Sequence, residues 1–557
     1  SGVLRYLRVE FGGIAESPDN ELNGVTFGAV GNRTIVDYVQ ASYSGDDSFE
    51  WFGGTVNCKH IIAYNGIDDD FDTDNGYRGK LQFGIGRRFN DIADISNSES
   101  FESDNDASAS ENQPFTNPIF SNFTCIGGVM DTSYTAWSAG ADYLTRYHPK
   151  FLTSAQIRRN SRMALYNSVL VGWPAGVELT NNNTVRAANA DSVKVKYNDF
   201  YGIRGNKYFY AGGSTTFSGT VSTNWLATTG FGNNMTNGIG NVGTLAGLND
   251  AFAKGATFNP SPILGANYLN SATYTDNDLS DSFFEKVSFR GAMDANKRWD
   301  IGWTEYDPIN NDYKPLVTST SFIKPAVNDS YRVGRSTILQ WDTTSHLTNG
   351  KTLKFSWSLS ANSTSWSVLP MPKGKLEFVD GTALKATGTV NTTMPNIATA
   401  TLYIKLEDKN DPTFNAIVGP ITVTIPAPGV VDSTLKGDIT GIITLSSKKI
   451  YGLDGVVYVQ SGGVLRIEPG TILKGDNTKT SAICVNRGGI IYANGTAQKP
   501  IVMTSGQPVG QRERGDWGGL LIMGKAKSNL IESPIEGGIA DDATIKKNAW
   551  FGGTDDA

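Results

Sequence analysis

The sequence predicts an all-β chain: a right-handed parallel β-helix, or solenoid, split between the two chain ends and joined by an Ig-like β-sandwich. Three observations predict it. Short apolar stretches recur with a shift of 22 residues near the start of the chain and of 26 residues near its end. Glycine supplies 62 of the 557 residues, which favours a chain that turns often. Between the two repetitive blocks lies a third block whose strand-like segments follow one another at regular spacing.

The first repeat places residues 38–54 on residues 60–76 without a gap. Periods of about 20–30 residues, made of short strands and turns rich in glycine and asparagine, are typical of solenoids. No amphipathic helical period accompanies them. Successive coils of a parallel β-helix stack about 4.8 Å apart, so aligned residues form ladders. The predicted inward ladders are Val39/Ile61, Ala41/Ala63/Cys125 and Phe49/Phe71/Phe101.

The second repeat superposes residues 457–467 on residues 483–493. Val459 meets Val485, and Leu465 meets Ile491. This repeat predicts that residues 430–557 are the N-terminal part of a β-helix and residues 1–310 its C-terminal part. The coils over 179–277 stay unassigned, apart from a short helix over 245–254.

The segment 314–428 is different in kind. Its apolar and aromatic residues alternate within strand-like runs, and the runs come about 10–15 residues apart. This pattern predicts an Ig-like sandwich that lacks the cysteine pair of immunoglobulin domains.

Composition excludes several classes of protein. The 48 basic and 55 acidic residues give a net charge of −7, and no basic block is present, which argues against nucleic-acid binding. No apolar run is long enough for a transmembrane helix, so we expect no membrane insertion. Three cysteines do not make a disulfide framework, and three histidines leave little for zinc or triad chemistry.

Acidic residues recur at equivalent positions of the first repeat and form the main candidate site. Stacked carboxylates repel one another, and a bound cation is one remedy. Ca²⁺ fits because it accepts about six to eight oxygen ligands in flexible geometry. The candidate Ca²⁺ ligands form two ladders and a further pair: Asp47, Asp69 and Glu99; Glu50, Asp72 and Glu102; and Asp74 with Asp104.

Other interpretations of these acids remain open. They suit solvated turns, Asx-type hydrogen bonds to the backbone, or pairing with Arg78, Arg87 or Arg88. A catalytic pair for glycoside hydrolysis is a further interpretation, with the acids at 46, 47, 68, 69 and 70 as its source. Trp51, Tyr43, Tyr64 and Trp137 are candidate sugar-stacking platforms, although packing in the core or in turns suits them better.

Several long motifs resemble a known family. They are SGVLRYLRVEFGGIA at 1–15, SYSGDDSFEWFGGTVN at 42–57, DDDFDTDNGYRGK at 68–80, GDWGGLLIMGKA at 515–526 and FGGTDDA at 551–557, with supporting stretches at 283–292, 299–308 and 535–538. They are similar to secreted, cell-surface parallel β-helix proteins of Bacteroidota-type bacteria that use a type IX-like export route. The resemblance implies the fold and an extracellular location, and it supplies no catalytic residues.

The order of these motifs is displaced, as in a circular permutation, because GDWGG and GGTDD precede SGVLRYLRVEF in that family and follow it here. Three explanations are open. Residues 430–557 of one subunit stack on residues 1–310 of the next; or the two parts pair within one chain; or the chain is a window of a longer array. Pairing within one chain requires the polypeptide to return along a solenoid of roughly ten coils, about 50 Å.

The sequence therefore predicts a structural extracellular protein, a subunit of a head-to-tail filament whose partner is another copy of itself. Two alternatives are a pectinase-like β-helix that binds or degrades polysaccharide through the acidic ladder, and a cell-surface adhesin that binds glycans. No enzyme activity is the expectation, and Ca²⁺ is the one candidate cofactor.

Overall fold

A computed structural model describes residues 2–17, 20–136, 145–212, 225–311, 313, 330–332, 336–340, 352–369, 378–380, 389–393, 400–408, 415–424, 431–540 and 548–555. Within them, 26 strands join into one sheet whose pairings are parallel. The chain winds from each short strand through a turn to the next, and each coil pairs with the coil before and after it. The architecture is the parallel β-helix that the two repeats predicted.

The strands of the β-helix fall in two blocks. The block near the C-terminus contains Ser433–Ile439, Ile442–Leu445, Ile450–Val459, Val464–Ile467, Ile472–Gly475, Ala482–Val485, Ile490–Asn494, Ile501–Ser505 and Leu520–Met523. The block near the N-terminus contains Val3–Glu10, Val25–Val30, Ile35–Ser42, Phe49–Gly54, Asn57–Tyr64, Phe71–Asp74, Lys80–Arg87, Phe101–Ser103, Ile119–Ile126, Thr153–Ile157, Ala164–Tyr166, Val169–Val171, Ala175–Thr180, Lys194–Lys196, Asp199–Tyr201, Phe209–Gly212 and Asn234–Thr236.

The strand registers confirm the inward ladders. Val39 pairs with Ile61, and Phe71 lies between Phe49 and Phe101. The rings of Phe49 and Phe71 stack with centroids 5.9 Å apart, and all of these side chains are buried in one core. The third ladder has one more member than predicted, because Gly86 lies between Ala63 and Cys125. The C-terminal repeat is confirmed in the same way, with Val459 on Val485 and Leu465 on Ile491.

The two blocks pair within one chain. Strand Val3–Glu10 lies between Ile35–Ser42 on one side and the strands Ile490–Asn494 and Ile501–Ser505 on the other. Leu520–Met523 likewise pairs with Val25–Val30. The filament prediction placed this junction between two subunits; the structure instead satisfies the junction strands within a single chain, so the displaced order requires no second subunit.

The junction is also closed by side chains and by close backbone approach. The indole Nε1 of buried Trp517 donates to the Glu10 carbonyl oxygen at 2.8 Å. At Gly519, φ is +82°, and an added Cβ would lie 2.3 Å from the Asn23 carbonyl oxygen. Only glycine combines that backbone conformation with such an approach, so this position fixes how closely the blocks stack.

A return segment brings the chain back to the junction. The coils end at Thr236, and residues 273–311 and Tyr313 lie back across the side of the solenoid, so this part of the predicted 1–310 β-helix is not coil. Outward amides of several coils bind its backbone. Gln82 Nε2 donates to the Glu285 carbonyl oxygen and Gln82 Oε1 accepts from the Glu285 N–H, both at 2.8 Å. Matching contacts join Asn167 to Thr273, Gln40 to Glu305 and, through side chains, Glu10 to Tyr313.

Helices are few. Asn182–Asn189 and Val242–Leu245 are α-helical, and the latter ends where the sequence placed the start of a helix over 245–254; that prediction was wrong because the chain instead enters the strand Leu248–Asp250. The 3₁₀ turns are Arg204–Asn206, Trp225–Ala227, Gly255–Thr257, Asn267–Asn270 and Asn277–Leu279. No described helix has the length and apolar character needed to cross a membrane.

Small antiparallel or parallel strand pairs decorate the solenoid: Ala15–Ser17 with Asn20–Glu21, Thr135–Ala136 with Arg146–Tyr147, Leu248–Asp250 with Asn259–Pro262, and Ser533–Pro534 with Trp550–Phe551. The middle segment contains a six-stranded sheet of Ser330–Arg332, Thr352–Ser358, Ser367–Val368, Phe378–Asp380, Ala400–Asp408 and Asn415–Thr424, and a separate pair, Ser336–Gln340 with Thr389–Thr393. These strands are described; an Ig-like sandwich for 314–428 stays a prediction.

Candidate functional site

One face of the β-helix carries a polar ladder in strict register. Because side chains alternate along a strand, Glu50 points away from the core that receives Phe49 and Trp51. Glu50 pairs with Asp72, which pairs with Glu102. The ladder continues in both directions, from Thr26 before Glu50 to Gln156 and Glu178 after Glu102. The repeat thus predicted the order of these carboxylates correctly.

The second predicted ladder lies in the turns that precede these strands. Two of its three carboxylates, Asp47 and Asp69, bind the backbone of the next coil. Asp47 Oδ1 accepts from the Asp69 N–H at 2.8 Å, and Asp69 Oδ1 accepts from the Glu99 N–H at 2.6 Å. One oxygen of Asp47 and one of Asp69 therefore join neighbouring coils, which is a cross-coil contact and not the local Asx-type hydrogen bond.

The third predicted pair is Asp74 with Asp104, and Asp104 forms ion pairs with two arginines. Arg158 Nε lies 2.8 Å from Asp104 Oδ1, and Arg159 Nη1 lies 2.6 Å from Asp104 Oδ2. Arg158 also pairs with Glu102. Sequence reasoning missed both arginines, although they directly follow strand Thr153–Ile157, which pairs with the Glu102 coil.

Of the arginines that the sequence did suggest, Arg88 contacts Asp70 at 3.4 Å and lies beside the acidic face. Arg87 lies elsewhere, with its guanidinium 5.0 Å from the Phe89 ring. The stacking platforms are also displaced from this face: Trp51 and Tyr64 are fully buried, and Trp137 lies outside the described residues.

Three groups of carboxylates come together closely enough to share a cation. In each group the ligand oxygens lie within 4.8 Å of one another. The groups are Asp46, Asp47 and Asp68; Asp47, Glu50 and Asp72; and Asp69, Glu99 and Glu102. Six of the eight predicted ligands belong to these groups, whereas Asp74 and Asp104 belong to none of them.

Two oxygens in these groups have no protein partner. Glu99 Oε1 and Asp72 Oδ1 are buried and accept no hydrogen bond from the described residues. Glu99 is only 1% exposed. A buried carboxylate oxygen without a donor is costly, so each of these atoms is suited to a cation or another added donor.

The pKa values of these carboxylates are raised, as expected for buried acids that lie close together. Burial, followed by the charges of Asp46 and Asp72, raises the pKa of Asp47 well above its usual range. Burial and then Glu536 raise the pKa of Glu50. Burial and then Asp69 raise the pKa of Asp72 to about 8. Burial is likewise the first cause of the raised pKa of the remaining acids of this face: Asp46, Asp68, Asp69, Asp74, Glu99 and Glu102.

Glu536 and Glu21 extend this acidic face and were not identified from the sequence. Glu536 comes from the C-terminal block and raises the pKa of Asp46 as well as that of Glu50. Its position depends on the closed junction, so no local sequence signal indicates it.

With this geometry described, comparison with known proteins gives one result that decides the family. The family model of the pectate-lyase-like β-helix domain matches residues 1–241 and 437–557, well over half of the chain. The chain belongs to this family. The match covers both blocks of coils and omits the return segment and the middle sheets, so the pectate-lyase-like domain is the β-helix itself. No curated protein and no solved structure matches the chain.

The raised pKa values predict how stability depends on pH. A carboxyl group whose pKa is higher in the folded chain keeps a proton that the unfolded chain has released, so the free energy of unfolding falls as pH rises between the two pKa values. For Asp72 this window runs from its usual 3.8 to about 8. We expect the Tm of the metal-free protein to fall between about pH 5 and about pH 8 in thermal unfolding.

The Asp72→Asn variant should flatten this decline, because it removes one titrating group from the ladder. Asp250→Asn, at an exposed aspartate away from the face, should leave the decline unchanged. A Tm that stays level or rises over the same pH range would contradict the account of the carboxylate face.

Proposed function

We propose that the chain is an extracellular polysaccharide-binding β-helix whose carboxylate face is held together by Ca²⁺. The observation that carries the proposal is the set of three carboxylate groups with ligand oxygens within 4.8 Å, together with the unpartnered oxygens of Glu99 and Asp72. Pectate-lyase-like β-helices are typically extracellular, where Ca²⁺ is abundant. Export by a type IX-like route is part of the same proposal.

Ca²⁺ fits the donor set because every ligand in the three groups is a carboxylate oxygen, the donor that this hard cation prefers. Asp69, Glu99 and Glu102 would hold one ion, and Asp47 with its neighbours would hold another. The ion would offset the repulsion among these acids and keep successive turns in register, and it would offer a positive charge to an acidic sugar.

The face is also open to a polymer. Asp46, Asp68, Asp72, Asp74 and Glu102 are partly exposed, whereas their neighbours in the ladder are buried. The coils repeat at the strand spacing of about 4.8 Å, so a chain laid along the ladder meets one carboxylate in each of three successive coils, at Glu50, Asp72 and Glu102.

The metal is tested by thermal unfolding in Ca²⁺ and in EDTA. Saturating Ca²⁺ at about a hundred times its Kd should stabilise the folded chain by about 2.7 kcal/mol and raise the Tm. Glu99→Gln should lose much of this response, and in EDTA near pH 8 it should melt at a higher temperature than the wild type, because burial raises the pKa of Glu99 and the variant no longer has an acid to bury. Glu468→Gln, at an exposed glutamate far from the face, is the matched control. Equal Tm values in Ca²⁺ and in EDTA would contradict the proposal that this face binds Ca²⁺.

The function is tested by retention of the purified chain on a panel of immobilised neutral and acidic polysaccharides. We expect Ca²⁺-dependent retention on at least one acidic polymer, lost in EDTA and in Asp47→Asn, and kept in the Asp250→Asn control. No retention on any member of the panel would contradict the proposal. Release of soluble fragments, abolished in Asp47→Asn and Asp69→Asn with folding intact, would identify the face as catalytic instead.

A structural role is the second candidate, and one observation favours it. Among the described residues, the terminal coil formed by Ser433–Ile439 and Ile442–Leu445 pairs on one side only, and Ile442 is 67% exposed. An uncovered strand edge is a template for pairing with another chain. Copies of the closed chain would then stack end to end through this coil into a surface fibre.

Light scattering tests this assembly. The filament candidate predicts a mass that grows with protein concentration, and Ile442→Lys should suppress that growth by placing a charge on the edge. A single monomeric mass at all concentrations would exclude the fibre and leave the binding function as the remaining candidate.

A further inference from the structure

A pocket that collects positive charge lies around the turn from the carboxylate face. Tyr43 begins that turn and lines the pocket, whereas the acids Asp46 and Asp47 follow it. The walls come from three distant parts of the chain: the ends of N-terminal coils, residues 254–310 and residues 510–514. The pocket therefore exists only when the two blocks are paired.

Aromatic rings and cations alternate around this pocket. The Lys254 ammonium lies 4.1 Å from the centre of the Phe89 ring, and the Arg514 guanidinium lies 5.0 Å from that of Tyr43. Arg87, which is fully buried behind Phe89, lies 5.0 Å from the same ring. Three cations therefore lie against the rings of Phe89 and Tyr43.

These cations have donors to spare. Lys254 forms no ion pair or hydrogen bond through its ammonium with any described residue, and Arg514 donates only from Nε, to the Asn65 carbonyl oxygen at 3.1 Å. Arg87 Nε is buried and unpartnered. Arg512 differs, because it donates to the carbonyl oxygens of Pro308 and Asn311.

Three acids lie near this group of cations: Asp91, Asp307 and Glu513. Asp91 is the carboxylate that acts on both Lys254 and Arg514, and it is exposed. Asp307 lines the pocket but accepts from Asn310 Nδ2 at 2.8 Å, and Glu513 is also exposed. Burial is the first cause that lowers the pKa of Lys254, and Arg87 and Arg514 lower it further. Burial likewise lowers the pKa of Arg514 and brings that of Arg87 to about 10.

We propose that this pocket binds a ligand in which an oxyanion, carboxylate or sulfate, is attached to a flat ring. The oxyanion accepts from the open donors of Lys254 and Arg514, and the ring packs against the aromatic walls formed by Tyr43, Phe89 and Tyr306. Lys254 and Arg514 are half-buried beside the buried Arg87, and like charges held this close are destabilising until an anion offsets them. Charge-assisted hydrogen bonds to two such cations give the pocket its preference for an anion.

The test uses the full chain in EDTA, so that it does not depend on the proposed Ca²⁺ site. Three probes are titrated calorimetrically: benzoate, which has both the ring and the charge; sulfate, which has the charge alone; and benzyl alcohol, which has the ring alone. We expect benzoate to bind more tightly than either of the other two. Benzoate binding as weak as that of benzyl alcohol, or no binding of any probe, would overturn the inference.

Variants then assign the binding to these residues. Lys254→Gln should weaken benzoate binding about tenfold or more, because it removes a charge-assisted hydrogen bond. The exposed Lys286→Gln is the matched control and should bind like the wild type. Lys254→Arg should restore binding and keep it at high pH, where the wild type loses it as Lys254 releases its proton. Equal affinity in the wild type and in folded Lys254→Gln would overturn the assignment.

Discussion

The structure depends on the strand Val3–Glu10 and the two sets of strands between which it lies. On one side this strand pairs with the next coil of its own block, and on the other with strands that lie almost 500 positions later in the chain. Without the second pairing, both blocks would present an open edge and an uncovered apolar ladder. With it, one core runs from Leu435 to the coils around Trp225.

The return segment is what makes this pairing possible within a chain. The distance from the last coil to the junction is covered by residues 273–311 and Tyr313, and outward amides such as Gln40 and Gln82 bind the backbone of this segment. The connection that follows Tyr313 therefore starts beside Glu10, close to the junction rather than at the far end of the solenoid. The same closure brings Glu536 to the carboxylate face and Arg514 to the basic pocket.

The carboxylate face and the basic pocket lined by Tyr43 and Phe89 arise in different ways. A parallel β-helix repeats each outward position at the strand spacing, so like residues in successive coils become neighbours in space. On one face this repetition brings Glu50, Asp72 and Glu102 together, and burial raises the pKa of each of these acids. In the pocket lined by Tyr43 and Phe89 the cations Lys254 and Arg514 come from separate segments, and aromatic rings lie against them.

What could be predicted from the sequence follows from this repetition. The ladders through Phe71 and Asp72 were predictable because a gap-free repeat fixes the register of every residue in it. The partners of Asp104 were not, since Arg158 lies in a coil whose spacing departs from 22 residues. Lys254 and Arg514 lie outside both sequence repeats, and only the folded chain places them together. Motif order indicated that the blocks pair, but the return segment, which has no periodicity, determines that they do so in one chain.

The central claim is tested most directly by a disulfide across the junction. Arg5 and Asn494 are paired residues on neighbouring strands, and both are accessible at the surface. The three native cysteines are buried, so they should not compete in Arg5→Cys/Asn494→Cys. Oxidation followed by denaturing electrophoresis and mass spectrometry should give a crosslink within single chains, at the mass of one chain. Covalent dimers and longer ladders would show that the blocks pair between chains, and would contradict the account.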